Sequence, residues 1–252
     1  MNNTFSLSGK WAVVTGASKG LGAGMACALA EAGANLILVA RGPMEATMED
    51  VRSAGGNAMA LQADLSKRDE TKGLLESLDR LETYPEILVN NAGAIRRNPL
   101  PDFTEADWDE VIELNLSSIF LLSQGVARRW LKTATAGRII NIASMLSFQG
   151  GIRVPSYTAS KTGLVGLTRL MANELAPAGI CVNAIAPGYM ETENTAPLRE
   201  DAERNAEILA RIPAGRWGSP DDLGGAVVFL ASGASAYVNG ITLPVDGGWL
   251  AR

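Results

Sequence analysis

The sequence predicts an α/β protein: a single Rossmann-type, doubly wound sheet of seven parallel strands with helices on both faces. Three observations carry that expectation. Short apolar runs alternate with helical stretches along the whole chain. Most of those runs are continuously apolar instead of alternating, the pattern of parallel strands covered on both faces. The first run also ends in a glycine-rich turn that leads straight into an alanine-rich helix.

Taken in order, the strands are expected at 11–15, 35–40, 58–62, 87–90, 138–143, 181–186 and 241–245. Helices fill the gaps. Thr104-Glu105-Ala106-Asp107 reads as the start of a helix running to Trp130, and Ser219-Pro220-Asp221-Asp222 as the start of another. Both resemble capping boxes, with Asp in place of the usual Glu. The least regular stretch is 188–216, which carries Pro197, Pro213 and many charges and reads as a short helical excursion, a mobile lid over the sheet edge. No repeat or linker divides the chain, so residues 1–252 are expected to form one domain.

The 252 residues are 47% hydrophobic, enough to bury a sheet on both faces. A net charge of −5 gives no basic footprint for nucleic acid or an anionic membrane, so neither is expected as a partner. No apolar stretch is long enough to span a bilayer, and residues 1–10 lack the apolar core of a signal peptide. Cys27 and Cys181 fall in helix and strand interiors, which argues against a disulfide and for a cytoplasmic location. There is no histidine. That excludes Ser-His-Asp and Cys-His hydrolase chemistry and His-based zinc sites, and no metal site is legible.

The turn Thr15-Gly16-Ala17-Ser18-Lys19-Gly20-Leu21-Gly22 suits a dinucleotide pyrophosphate. Missing side chains let backbone N–H groups approach the phosphates, and the following helix adds its partial positive charge. An NAD-binding strand usually ends on a carboxylate for the ribose 2′-hydroxyl, but Ala40 and Arg41 stand there. A guanidinium suits a 2′-phosphate, and Lys19 adds a second cation, so NAD(P)(H) is expected, with NADP(H) slightly favoured.

Tyr157 and Lys161 lie four residues apart after Pro155, on one face of a helix. A tyrosine titrates near pH 10, and an adjacent ammonium favours its phenolate. Ser144 follows the 138–143 strand at the sheet edge where such folds bind ligands, placed to hold a reacting oxygen against the tyrosine.

Together with Asn90-Asn91-Ala92-Gly93, Asn115, Tyr157-Thr158-Ala159-Ser160-Lys161 and Pro187-Gly188, these residues resemble a classical short-chain dehydrogenase/reductase over essentially the whole chain. The resemblance implies a homotetramer with Tyr157 as general acid or base and Lys161 lowering its pKa and holding the nicotinamide ribose. It implies Ser144 as the oxygen-orienting group and Asn115 as holder of a water in a proton relay. Asp64 and Leu65 would flank the adenine, Asn91, Ala92 and Gly93 would line the cofactor, and Pro187, Gly188, Met190 and Thr192 would meet its nicotinamide end.

A narrower resemblance, in the stretches 144–157, 187–190, 211–218 and 245–252, is to the members acting on deoxy sugar acids. It implies reversible hydride transfer to the 5-keto group of a 2,5-diketo-3-deoxy sugar acid. A substrate carboxylate wants a guanidinium, and Arg96, Arg97 and Arg153 are the candidates. Gln149, Glu191 and Asn194 are candidates for sugar hydroxyls, and Met145, Met190, Trp217 and Trp249 for pocket walls. The alternatives are a gluconate 5-dehydrogenase, a 3-oxoacyl-carrier-protein reductase, for which no basic carrier-docking patch is visible, or a cofactor-binding regulatory scaffold.

Overall fold

The computed structural model describes residues 4–252; residues 1–3, part of the stretch read above as lacking a signal peptide, lie outside the described residues. Seven strands form one sheet: β1 (Trp11–Thr15), β2 (Asn35–Ala40), β3 (Ala58–Gln62), β4 (Ile87–Asn90), β5 (Arg138–Ile142), β6 (Cys181–Pro187) and β7 (Thr242–Val245). Their order is β3-β2-β1-β4-β5-β6-β7 and all pairs are parallel. The first four strands start and end where the apolar runs do. At β5–β7 the ladder shifts an end by one residue: β5 stops at Ile142, β6 runs on to Pro187, and β7 begins at Thr242.

Successive residues of a strand face opposite sides of a sheet, so continuously apolar strands need cover on both. One layer contains α1 (Gly20–Glu31), α2 (Glu45–Ser53) and α9 (Gly224–Ala231). There Met25, Leu29, Val51, Val227 and Leu230 meet Val14, Leu36, Leu38 and Ile140. The other contains α3 (Arg68–Asp79), α5 (Ser118–Thr133) and α6 (Pro155–Leu175). There Leu74, Leu78, Leu122, Val126 and Trp130 meet Val13, Ile37, Val39 and Ile139. Trp130 is buried and its indole Nε1 donates to the Pro85 carbonyl at 2.8 Å.

The long helix expected from Thr104 to Trp130 departs from expectation in one respect. Thr104 does cap α4 (Glu105–Ile112), accepting from the Asp107 amide, but residues Glu113–Ser117 form a π-helical turn before α5. Such turns insert an extra residue and re-aim side chains, often at functional sites. Here the buried Asn115 is the residue re-aimed. Ser219 and Asp222 form the expected capping box, though it opens a 3-10 turn (Pro220–Leu223) ahead of α9. The irregular stretch folds as α7 (Ala196–Glu200) and α8 (Ala202–Arg211), which pack on a separate small cluster of Met145, Ile208, Ile212, Trp217 and Trp249.

Candidate active site

The order of strands reverses between β1 and β4, and a crevice opens beyond the carboxyl ends of strands at such a switch point. A cavity of about 1010 Å³ occupies it here. Its walls come from the turns after all of the first six strands. The β1 turn contributes Gly16, Ser18, Lys19, Gly20, Leu21 and Gly22; β2 contributes Arg41; and β3 contributes Asp64 and Leu65. From β4 come Asn91, Ala92, Gly93 and Arg97, from β5 Ser144, and from α6 Tyr157 and Lys161. Pro187, Gly188, Met190 and Thr192 close the far side after β6.

The glycine turn is built for close backbone approach. A side chain on Gly22 would place its Cβ 2.2 Å from the Gly16 carbonyl, and Gly16 itself has φ +66° with Ala92 Cα 2.9 Å from its Cβ position. At Gly20 the Cβ position is open, the nearest atom being Thr192 Cγ2 at 3.9 Å. Protein packing therefore demands glycine at 16 and 22, while the space above Gly20 is a cradle at the N-terminus of α1 that fits a pyrophosphate. Thr15, expected only as the first residue of the turn, organises this corner. Its Oγ1 accepts from the amides of Asn91 and Ala92 at 2.9 and 3.0 Å, and Asn91 Nδ2 donates back to the Thr15 carbonyl at 2.8 Å.

At the end of the cavity beyond β2 and β3, burial raises the Asp64 carboxyl, but hydrogen bonds from Ser66 and the charge of Arg41 outweigh it and hold it below its ordinary value. Arg41 is exposed and makes no ion pair among the described residues; only its carbonyl is bound, by Gln62 Nε2 at 2.7 Å. Lys19 pairs with Glu193 instead of standing free.

At the other end, Ser144, Tyr157 and Lys161 converge. Burial raises the Tyr157 phenol, while its hydrogen bond with Ser144 and the charge of Arg97 pull it down; the net direction is up. Lys161 Nζ lies 5.7 Å from the Tyr157 ring centroid and donates to the Ile142 carbonyl at 2.6 Å. Burial lowers the Lys161 ammonium to about 8. Ser147, which sequence reasoning missed, ties the group together: its Oγ donates to the Lys161 carbonyl at 2.7 Å and accepts from the Ser144 amide at 3.3 Å. The Ser-x-x-Ser spacing of a capping box was the available signal. Asn115 lies behind the wall, not in it. Both atoms of its amide engage the Ala94 backbone at 2.9 Å, so its side chain fixes the turn after β4.

Seven of the residues expected at the substrate pocket lie outside the cavity lining. Arg96 is drawn away by Glu110 at 2.6 Å and Asp107 at 3.5 Å. Arg153 is exposed at a left-handed position (φ 65°) and Met145 is packed against the lid cluster. Gln149 is held by Arg211 at 3.1 Å. Trp217 and Trp249 pack edge-on against Tyr189, at 5.2 and 4.8 Å between ring centroids, and are not cavity walls. Of the three arginines only Arg97 lines the cavity, where it donates to the Asn194 carbonyl at 3.3 Å and has no carboxylate partner among the described residues. Glu193, Asn194 and Thr195 line it as well; Glu191 does not.

A buried ammonium costs stability wherever the unfolded chain would be protonated more readily than the fold. For Lys161, lowered to about 8, that cost is full below pH 8 and fades as pH climbs towards 10.5. Lys161→Met is therefore expected to raise the melting temperature of the cofactor-free protein at pH 7, at about 2–4 °C per kcal/mol relieved. The gain should shrink at pH 9.5. Equal or lower melting at pH 7 would refute the assignment.

A family model described as enoyl-(acyl carrier protein) reductase matches residues 16–250. The chain is 57% identical over 250 residues to 2-dehydro-3-deoxy-D-gluconate 5-dehydrogenase of Escherichia coli K12, and 51% identical over 253 residues to the Bacillus subtilis enzyme of that name. Each comparison covers at least 99% of both chains. Among solved structures, an Agrobacterium tumefaciens protein described as a 2-deoxy-D-gluconate 3-dehydrogenase, with bound NADP, superposes with a TM-score of 0.95 at 53% identity, covering 99% of this chain and 100% of that one. A gluconate 5-dehydrogenase from Burkholderia cenocepacia in complex with NADP and tartrate gives 0.93 at 38% identity, covering 99% and 98%. With full-length relatives of this kind and a dinucleotide cradle at its switch point, the chain belongs to the short-chain dehydrogenase/reductase family and is an NAD(P)-dependent oxidoreductase acting on CH–OH groups.

Proposed function

We propose that this enzyme reduces the 5-keto group of a 2,5-diketo-3-deoxy sugar acid, and catalyses the reverse oxidation, as its Escherichia coli and Bacillus subtilis relatives are named for doing at C5. The observation that carries this reading is the Arg97 guanidinium, a cation without a carboxylate partner on the cavity wall and close enough to bias Tyr157. A carboxylate-bearing substrate anchored there presents its carbonyl to Ser144 and Tyr157.

The nicotinamide, when bound, supplies or accepts the hydride at the substrate carbon. The protein's task is the proton. In reduction Tyr157 Oη gives its proton to the carbonyl oxygen, and Ser144 Oγ holds that oxygen in place. A phenol kept high by burial is well suited to stay protonated as the acid. Lys161 supplies positive charge under the ring face, and Ser147 fixes it relative to Ser144. Residues 188–216 act as the lid of this catalytic unit.

We infer a preference for NADP(H), supported by the free Arg41 guanidinium, by the missing carboxylate at the end of β2, and by NADP in the two structures above. We also place the enzyme in the cytoplasm as a homotetramer. No helix among the described residues is long and apolar enough to cross a membrane. Exposed Phe120 and Leu170 flank an apolar groove of about 560 Å³ between α5 and α6, a face suited to self-association.

The direct test follows oxidation of NADPH and NADH with a 2,5-diketo-3-deoxy sugar acid and with 5-ketogluconate. Faster turnover of the deoxy compound with NADPH is expected; turnover of 5-ketogluconate alone would discard the substrate. Tyr157→Phe should lower kcat by about 10²–10⁴-fold while cofactor still binds, and near-normal kcat would remove Tyr157 from its role. Arg97→Met should raise KM for the sugar acid by roughly 10–100-fold with little change for a neutral ketone. An equal effect on both would mean that Arg97 does not read the carboxylate. Light scattering should report a tetramer, and Phe120→Asp should lower the mass; a monomeric wild type would end that proposal.

A further inference from the structure

We propose that Glu193 tunes cofactor affinity by competing with a cofactor phosphate for Lys19. Lys19 is the N-cap residue of α1, its side chain offers that helix no cap, and the first turn of α1 carries no acidic residue. The residues of the turn itself therefore make this corner electropositive: a helix N-terminus and one ammonium. The negative charge supplied to it is Glu193, paired with Lys19 across the cavity mouth.

Glu193 is not held there by burial. Its side chain is 73% exposed and that of Lys19 67% exposed, so either can leave without desolvating a charge. What places the carboxylate is its turn. Glu193–Thr195 is a 3-10 turn with a reciprocal cap from Thr192 and Thr195, and Thr195 Oγ1 donates to the Met190 carbonyl at 2.6 Å. On its far side Arg97 donates to the Asn194 carbonyl at 3.3 Å. The turn thus spans from the glycine loop to Arg97, and its ends rest on two cations lining the cavity. Phosphate oxygens carry more charge than one carboxylate and also gain the helix amides, so they displace Glu193, but against an opposing charge.

This rests on the dinucleotide role of the glycine turn and not on the identity of the sugar acid. The phosphate is either the pyrophosphate common to both cofactors or the 2′-phosphate of NADP alone. Calorimetric titration of NADPH and NADH into the wild type, Glu193→Gln, Lys19→Gln and the double variant separates these. Glu193→Gln should tighten binding by about two- to fivefold at low salt, as for an exposed ion pair. The gain should vanish near 1 M salt, where the screening length is about 3 Å, and be absent in the Lys19→Gln background. Tightening of NADPH alone assigns the 2′-phosphate; equal tightening of both assigns the pyrophosphate. Unchanged affinity in a variant that melts like the wild type, or equal tightening without Lys19, overturns the proposal. A wild type that binds neither nucleotide would overturn the cofactor reading instead.

Discussion

Parallel strands cannot be joined by tight hairpins, so each must hand the chain to a crossover that returns over one face of the sheet. In this protein that constraint puts the carboxyl ends of all seven strands on one edge, and the reversal of order between β1 and β4 parts the turns there. Everything chemical hangs from that edge. The glycine turn, Arg41, Asp64, Asn91, Arg97, Ser144 and Gly188 are far apart in the chain, yet each follows a strand and so lines one cavity. The only residues of the reacting group carried by a helix are Tyr157 and Lys161, and their helix is tied to the same edge through Ile142 and Ser147.

A second set of polar contacts lies beneath this one. Asn90 and Asn141 are register partners on β4 and β5, and Asn90 Nδ2 donates to both Asn141 Oδ1 (2.9 Å) and Ser123 Oγ (3.0 Å). Asn141 Nδ2 in turn donates to Thr168 Oγ1 on α6 at 2.9 Å. Thr168 is seven residues beyond Lys161, two helical turns along the same face. Buried hydrogen bonds of this kind favour one placement of α6 against β5 over sliding alternatives, because any shift would strand polar atoms away from water. A site that strains its lysine by burial is thus backed by a layer that resists relaxation.

Much of this was legible in the residues. The first four strands are bounded as their apolar runs are, even β3, which is partly exposed and ends on Gln62. The glycine turn declared itself because packing permits nothing else at Gly16 and Gly22. Other features were hidden for identifiable reasons. The π turn at 113–117 has no periodicity of its own, since it is one extra residue in an otherwise ordinary helix. Arg96 and Arg97 are adjacent and chemically alike, and only the direction of each side chain sends one to Glu110 and the other to the cavity. Gln149 and Met145 sit in the stretch expected to meet substrate, but α8 and the residues near Trp249 reach them first.

The aromatic knot beside α8 reports on its surroundings. Two of the five tryptophans, Trp217 and Trp249, meet Tyr189 there. Trp217 Nε1 donates to Asn205 of α8 at 2.8 Å, and the Arg211 guanidinium at the end of α8 lies 4.0 Å above the Trp249 ring. Movement of α8 alters the polarity around both indoles at once, while the buried Trp130 on the far side of the sheet keeps its surroundings. The protein consequently carries its own optical gauge of where α8 sits, readable as a spectral shift without any attached dye.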